Sequence, residues 1–155
     1  MIIHDSEFLP QAKCLISSAK KSIDICTFKA EFTTHHRGRH LLGFFNEIFE
    51  KRDTGIPVRF MFNWNNKRRA CPSTNKSALG HFKKHKFDVR VLPRDRCCHA
   101  KIILVDGKKA IVGSHNLSVS SVSLNFEVSY LVCDPIAVAS LQAIFSEVFK
   151  GASTI

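Results

Sequence analysis

Nothing in the chain comes near the roughly 18 consecutive apolar residues that a membrane-spanning helix needs, so no span is expected. Its opening, MIIHDSEFLPQAK, has neither the basic start nor the apolar run of a secretory signal. Internal repeats, low-complexity tracts and linker-like stretches are missing as well. The expectation is therefore one domain over residues 1–155, long enough to bury a real core. Acidic side chains are scarce, 13 against 23 Lys and Arg, for a formal net charge of +10. That surplus favours a polyanionic partner, either nucleic acid or an anionic membrane surface, and says nothing about the fold. No carboxylate cluster suited to Mg²⁺ stands out. Cysteine is the exception to this scarcity, with Cys14, Cys26, Cys71, Cys97, Cys98 and Cys133. A domain of this size needs no disulfide staples, and Cys26 and Cys133 fall in apolar strand-like runs. The thiols are read as mostly reduced, which favours a cytoplasmic home.

Helical and strand periodicities alternate. Phe8, Leu9, Ala12, Leu15, Ile16 and Ala19 mark one face of a first helix, followed by a strand over Ser22 to Phe28. Leu41, Leu42, Phe45, Ile48 and Phe49 repeat the helical spacing, and Gly55-Ile56-Pro57 leads into the strand VRFMFNW. A basic helix is expected from about Ser73 to Lys86, then a short strand, DVRVL. Asp134-Pro135 reads as an N-cap with proline at the first helical position, opening a last helix through Val138, Leu141, Phe145 and Val148. This pattern predicts an α/β layered domain with a mixed, mostly buried β-sheet flanked by helices.

The chemistry concentrates between His99 and Glu127. Cys98 to Val105 reads as a strand in which His99 and Lys101, two residues apart, share a face. Asp106-Gly107 is a hairpin-turn signal. The returning strand KAIVG ends at Gly113, ahead of the loop Ser114, His115, Asn116. Such a hairpin gathers an imidazole, an ammonium, a hydroxyl and a carboxamide. A phosphodiester reaction needs a nucleophile or acid together with donors for the non-bridging oxygens, and this set supplies both.

The pattern His99-x-Lys101-x(4)-Asp106-x(6)-Gly113-Ser114-x-Asn116 resembles the HKD signature of the phospholipase D superfamily without departure. At roughly one in twenty per position, a chance match somewhere in the chain is on the order of one in a million. Ser18 to Phe28 is similar to the family's first helix-to-strand passage, and Glu127 matches its acidic residue that holds the catalytic histidine. The resemblance implies a phosphodiesterase with no cofactor and no metal. One histidine attacks phosphorus, a second protonates the leaving oxygen, and Lys101, Asn116 and Ser114 bind the phosphoryl oxygens. It also implies that Glu127 fixes the imidazole tautomer. One motif per chain against a two-histidine mechanism implies a homodimer with a shared site. Asp106 stays outside the expected catalytic set, because the turn accounts for it and its parity points it away from His99 and Lys101.

Three basic segments, His35 to His40 (with Arg37 and Arg39), Lys67-Arg68-Arg69, and Lys83 to Lys86 (with Lys83 and Lys84), follow predicted strands, and the rim of an α/β sheet is where ligands bind. Trp64 beside the second adds a candidate base-stacking ring. A groove for DNA or RNA is the favoured reading. A phospholipase D or cardiolipin hydrolase acting on anionic lipid headgroups is the alternative, since the motif is common to both. A catalytically silent nucleic-acid-binding module comes third. Cys71, His81, His85, Cys97 and Cys98 suggest a zinc set, but they contain no tight CxxC pair apt for metal, and the segment reads equally as a basic helix face. No metal site is assigned.

Overall fold

The computed structural model describes residues 1–64 and 73–155. Eight strands form a single mixed sheet in the order β1-β7-β6-β5-β2-β3-β4-β8. The strands are β1 (Ile2–His4), β2 (Ile23–Thr27), β3 (Val58–Phe62), β4 (Asp88–Val91), β5 (Ile102–Val105), β6 (Lys109–Gly113), β7 (Val128–Val132) and β8 (Ser153–Thr154). The helices are α1 (Phe8–Ser17), α2 (Arg39–Asp53), α3 (Ser73–Lys84), α4 (Val119–Ser123) and α5 (Pro135–Lys150). β2, β3 and β4 run parallel, whereas β5, β6, β7 and β1 follow one another antiparallel.

Alternation along the strands separates two cores. Ile23, Ile25, Val58, Phe60, Phe62, Ile103 and Ile111 join the apolar faces of α1, α2 and α3, with Phe44, Phe45 and Phe82 fully buried among them. Each such side chain contributes roughly 1.5–3 kcal/mol through burial. The opposite face carries Cys26, Met61, Leu104 and Ala110 under Val138, Phe145 and Phe149 of α5. Asp134 caps α5 by accepting from Ala137 N at 2.8 Å, with proline in the first turn as its sequence signalled.

Among the strands and α-helices of the described residues, three lie outside the sequence reading. β1 and β8 are three and two residues long, too short to show alternation, and α4 arises in VSSVS, a run with weak helix propensity. Two expectations need correcting. The strand predicted from Cys98 begins only at Ile102, leaving 97–101 irregular. Cys133 is exposed just beyond β7 rather than buried in it.

Candidate active site

The strand directions gather the chemistry at one rim: the C-terminal ends of β2, β3, β4 and β6 and the starts of β5 and β7. The hairpin that carries the motif turns through Asp106 and Gly107, at φ 58° and 63°, the geometry that Asp-Gly favours. Gly113 is required by close approach. A Cβ there would meet Ser129 Oγ and Cα and the Val128 carbonyl of the adjacent strand.

His99 is exposed at the mouth of the rim. Lys101 Nζ lies 3.2 Å from His99 Nδ1 and donates to the His99 carbonyl at 2.6 Å. The expected proximity therefore holds although neither residue is on a strand. Phe28, just past β2, packs its ring 5.2 Å from the His99 imidazole, and Lys101 Nζ sits 5.9 Å from the same ring centroid. Partial burial lowers the Lys101 ammonium below its ordinary value, with nearby thiols and Glu127 pulling the other way.

Asn116 is brought to the same strand end. Its Oδ1 accepts from Lys29 N at 3.1 Å and Thr27 Oγ1 at 3.3 Å, so the donor left to the side chain is its amide nitrogen. His99 and Asn116 thus meet over Thr27, Phe28 and Lys29. Ser114 binds the β7 backbone, accepting from Val128 N at 3.0 Å. His115, the unassigned position of the motif, is buried and structural: it stacks on Phe8 at 4.3 Å and its Nδ1 contacts Ser129 Oγ at 2.8 Å. Burial lowers its pKa, offset in part by Asp5 and Glu127.

Glu127 is 9% exposed, and its Oε1 accepts from Ser121 Oγ at 2.8 Å and Asn125 Nδ2 at 3.0 Å. Ser121 Oγ in turn accepts from Asn116 N at 2.8 Å, so one hydroxyl ties the carboxylate to the motif loop. Burial pushes the Glu127 carboxyl up, but the Ser114, Asn125 and Ser121 side chains outweigh it and hold the group below its usual range. Phe28, Ser121 and Asn125 escaped the sequence reading. Only the position of Phe28 at a strand end carried any signal for them.

The basic segments divide. Arg37, in the connection from β2 into α2, and Arg39, the first residue of α2, are exposed at the site end. Lys83 and Lys84 sit at the C-terminus of α3, which runs back from the rim, so at about 1.5 Å per residue the helix carries them to the far end of the sheet. The expectation that they line the rim is corrected accordingly. Trp64 is half-buried, packed edge-on against Phe62 at 5.7 Å. Lys67, Arg68, Arg69 and Cys71 lie outside the described residues. His81 stacks on Phe32 at 3.6 Å and His85 on Phe49 at 4.0 Å, and among the described residues no metal-ligating group of three or more gathers.

Beside His99 a cavity of about 170 Å³ opens between the sheet and α5, lined largely by apolar atoms of Met61, Ile102, Phe145 and Val148 and by Cys26 and Cys98.

An α/β sheet presenting a histidine, a lysine and an amide at one strand-end rim defines a candidate phosphoryl-transfer domain. A model of the family described as cardiolipin synthase, PLD-like domain, matches residues 13–149, and the chain belongs to the phospholipase D superfamily. Among solved structures, Nuc from Salmonella typhimurium, a phospholipase D family member, is similar over all of this chain and 96% of its own at 14% identity and TM-score 0.82. NucT from Helicobacter pylori is similar over all of this chain and 98% of its own at 17% identity and TM-score 0.78. Phosphatidylserine synthase from Haemophilus influenzae is similar over 99% of this chain and 39% of its own at 15% identity and TM-score 0.68. Among curated proteins, none matches.

Proposed function

We propose that this chain is a metal-independent phosphodiesterase that cleaves nucleic acid as a homodimer, through a phosphohistidine at His99. The observation that carries the reading is the convergence of His99, Lys101 and Asn116 on the end of β2, with Glu127 tied to the same loop through Ser121. In the resting arrangement the Lys101 ammonium faces His99 Nδ1, which favours a ring carrying its proton on Nε2. Attack needs the other tautomer. An incoming phosphate draws Lys101 onto its oxygens, and Nδ1–H then turns to a carboxylate, the role assigned to Glu127. Nε2 forms the P–N bond while the P–O bond breaks, and the leaving oxygen takes its proton from the partner's His99. Water reverses the sequence, giving its proton to that second imidazole.

Exposed apolar residues beside the site support the dimer. Val128 and Tyr130 of β7 and Ile2 of β1, in register with Tyr130, are exposed at the edge of the sheet face that α5 covers only in its middle, and Phe126 (85% exposed) precedes them beside Glu127, an apolar corner next to Ser114. Scattered apolar residues need no explanation, but a contiguous corner next to a half-complete site favours a self-complementary two-fold contact. Nucleic acid as substrate is supported by the net charge of +10 and by exposed Arg37 and Arg39 at the rim. The apolar cavity beside His99 favours a second reading, hydrolysis of a lipid phosphodiester. Incubation with labelled DNA, RNA and cardiolipin vesicles in excess EDTA separates the two. Cleavage of a nucleic acid that His99→Ala abolishes, with the fold retained, is expected. Vesicle hydrolysis alone would select the lipid reading, and strict dependence on added metal would refute the mechanism.

A further inference from the structure

Cys26 and Cys98 stand with their sulfurs 3.2 Å apart, each 5% exposed or less, and the second thiol immediately precedes His99. The two thiols are unequal in freedom. Cys26 lies inside β2, where Cys26 is in register with Met61 of β3 and Ile102 of β5, so hydrogen-bonded strands hold it on both sides. Cys98 belongs to the irregular segment ahead of β5. A disulfide requires an S–S separation of about 2.05 Å, roughly 1 Å closer than the sulfurs now stand. That closure falls on Cys98, and His99 moves with it relative to Phe28 and the end of β2. Both cysteines line the cavity beside His99, a route by which a small oxidant approaches residues that are otherwise enclosed.

We propose that Cys26 and Cys98 form a reversible dithiol–disulfide pair, oxidised by hydrogen peroxide, whose closure displaces His99 and suppresses turnover. The bridge rests on the thiol geometry alone, while its effect on turnover rests on the proposed activity of His99. In the first step one thiol attacks the peroxide, the O–O bond breaks, and a sulfenic acid and one water form. The second thiol then displaces the sulfenic oxygen as water, forming the S–S bond. Two protons and two electrons leave the thiols, and one peroxide is reduced to two waters. The hydrogen bond to Cys26, followed by burial, pushes the Cys98 thiol up. Cys14 and Cys133 are exposed thiols in the same chain and serve as internal controls, having no described thiol partner in contact.

The test treats the full chain with hydrogen peroxide, blocks remaining thiols with an alkylating agent and maps the peptides by mass. A Cys26–Cys98 cross-link, lighter by two hydrogens and reversed by dithiothreitol, is expected. Cleavage of a small artificial phosphodiester should fall at least several-fold on oxidation and recover on reduction. Cys26→Ala should lose this peroxide sensitivity while keeping basal turnover. His99 acylation by diethyl pyrocarbonate reports the displacement without needing activity, and its rate should change on oxidation in the parent chain but not in Cys26→Ala. Absence of the Cys26–Cys98 cross-link would overturn the proposal, as would a cross-link that leaves both turnover and the acylation rate unaltered. A cross-link that changes acylation in a chain that cleaves nothing would support the pair while defeating the catalytic reading.

Discussion

Asp106 shows how much a single side chain in a motif depends on its surroundings. Its carboxylate accepts from the backbone N–H groups of Lys20, Lys21 and Ser22 at 2.7–3.1 Å, so it clamps the passage from α1 into β2 onto the hairpin. Its place among the motif residues is structural, as the turn and its parity suggested. Burial pushes the Asp106 carboxyl up, but the three N–H donors outweigh it and set it below its ordinary value. A depressed folded pKa adds stability that is complete above the unfolded value, about 3.9, and is lost as pH falls through the lower folded one. Asp106→Asn should therefore lower stability at neutral pH and flatten its decline below about pH 5. Denaturant melts of both chains between pH 3 and 7 measure the difference; parallel slopes would contradict the account.

At the scale of elements, the centre of the sheet depends on one buried ion pair. Asp24 on β2 is 1% exposed and accepts from Arg59 of β3 through both oxygens at 2.7 Å, while Gln142 of α5 adds a third donor at 2.9 Å. Two strands and the covering helix are thereby joined at one carboxylate. The Asp24 hydrogen bond, more than the opposing burial, raises the Arg59 pKa. Asp24→Ala leaves the Arg59 guanidinium, 32% exposed, without its carboxylate, and solvent screening brings the cost below the roughly 3–5 kcal/mol of a fully buried pair, to about 1–3 kcal/mol. Chemical denaturation should show a midpoint lowered accordingly. A loss below about 1 kcal/mol would mean that solvent reaches Arg59 freely.

The whole molecule is asymmetric in a way that bears on assembly and binding. α5 covers the middle of its sheet face but not the corner of β7 and β1, where Phe126, Val128 and Tyr130 remain exposed. If that corner holds the second copy, Phe126→Asp should convert a dimer to a monomer in sedimentation and remove most turnover, although Phe126 is not a catalytic residue. A fully active monomer would contradict both the interface and the two-histidine mechanism. Charge on the rim acts over longer range. Each neutralised phosphate contributes about −0.9 to the slope of log affinity against log salt on duplex DNA and about −0.7 on single strands. Replacing Arg37 and Arg39 together with serine should thus flatten the slope by about 1.5, whereas replacing Lys83 and Lys84 at the far end should leave it nearly unchanged. Equal effects from the two pairs would show that binding is not confined to the rim.

Much of this protein is legible in the amino-acid order because it rests on local rules. Phe8 to Ile16 and Leu41 to Phe49 show the spacing of one buried helix face, Asp134-Pro135 starts α5, and Asp106-Gly107 supplies the left-handed turn. The motif carried His99 and Lys101 to neighbouring positions even though the strand begins later than expected, because two residues of extended chain project to one side with or without a ladder. Tertiary structure alone decided what depends on chain segments distant in sequence. Ser121 reaches Glu127 and the Asn116 backbone only because α4 folds back over the loop, and Phe28 meets His99 only because β5 lies beside β2. Lys83 and Lys84 leave the rim because α3 runs antiparallel to the strands it connects, a direction invisible in a count of charges. Cys26 and Cys98, 72 residues apart, come into contact for the same reason: sheet order, which long-range pairing sets, places the start of β5 against the end of β2.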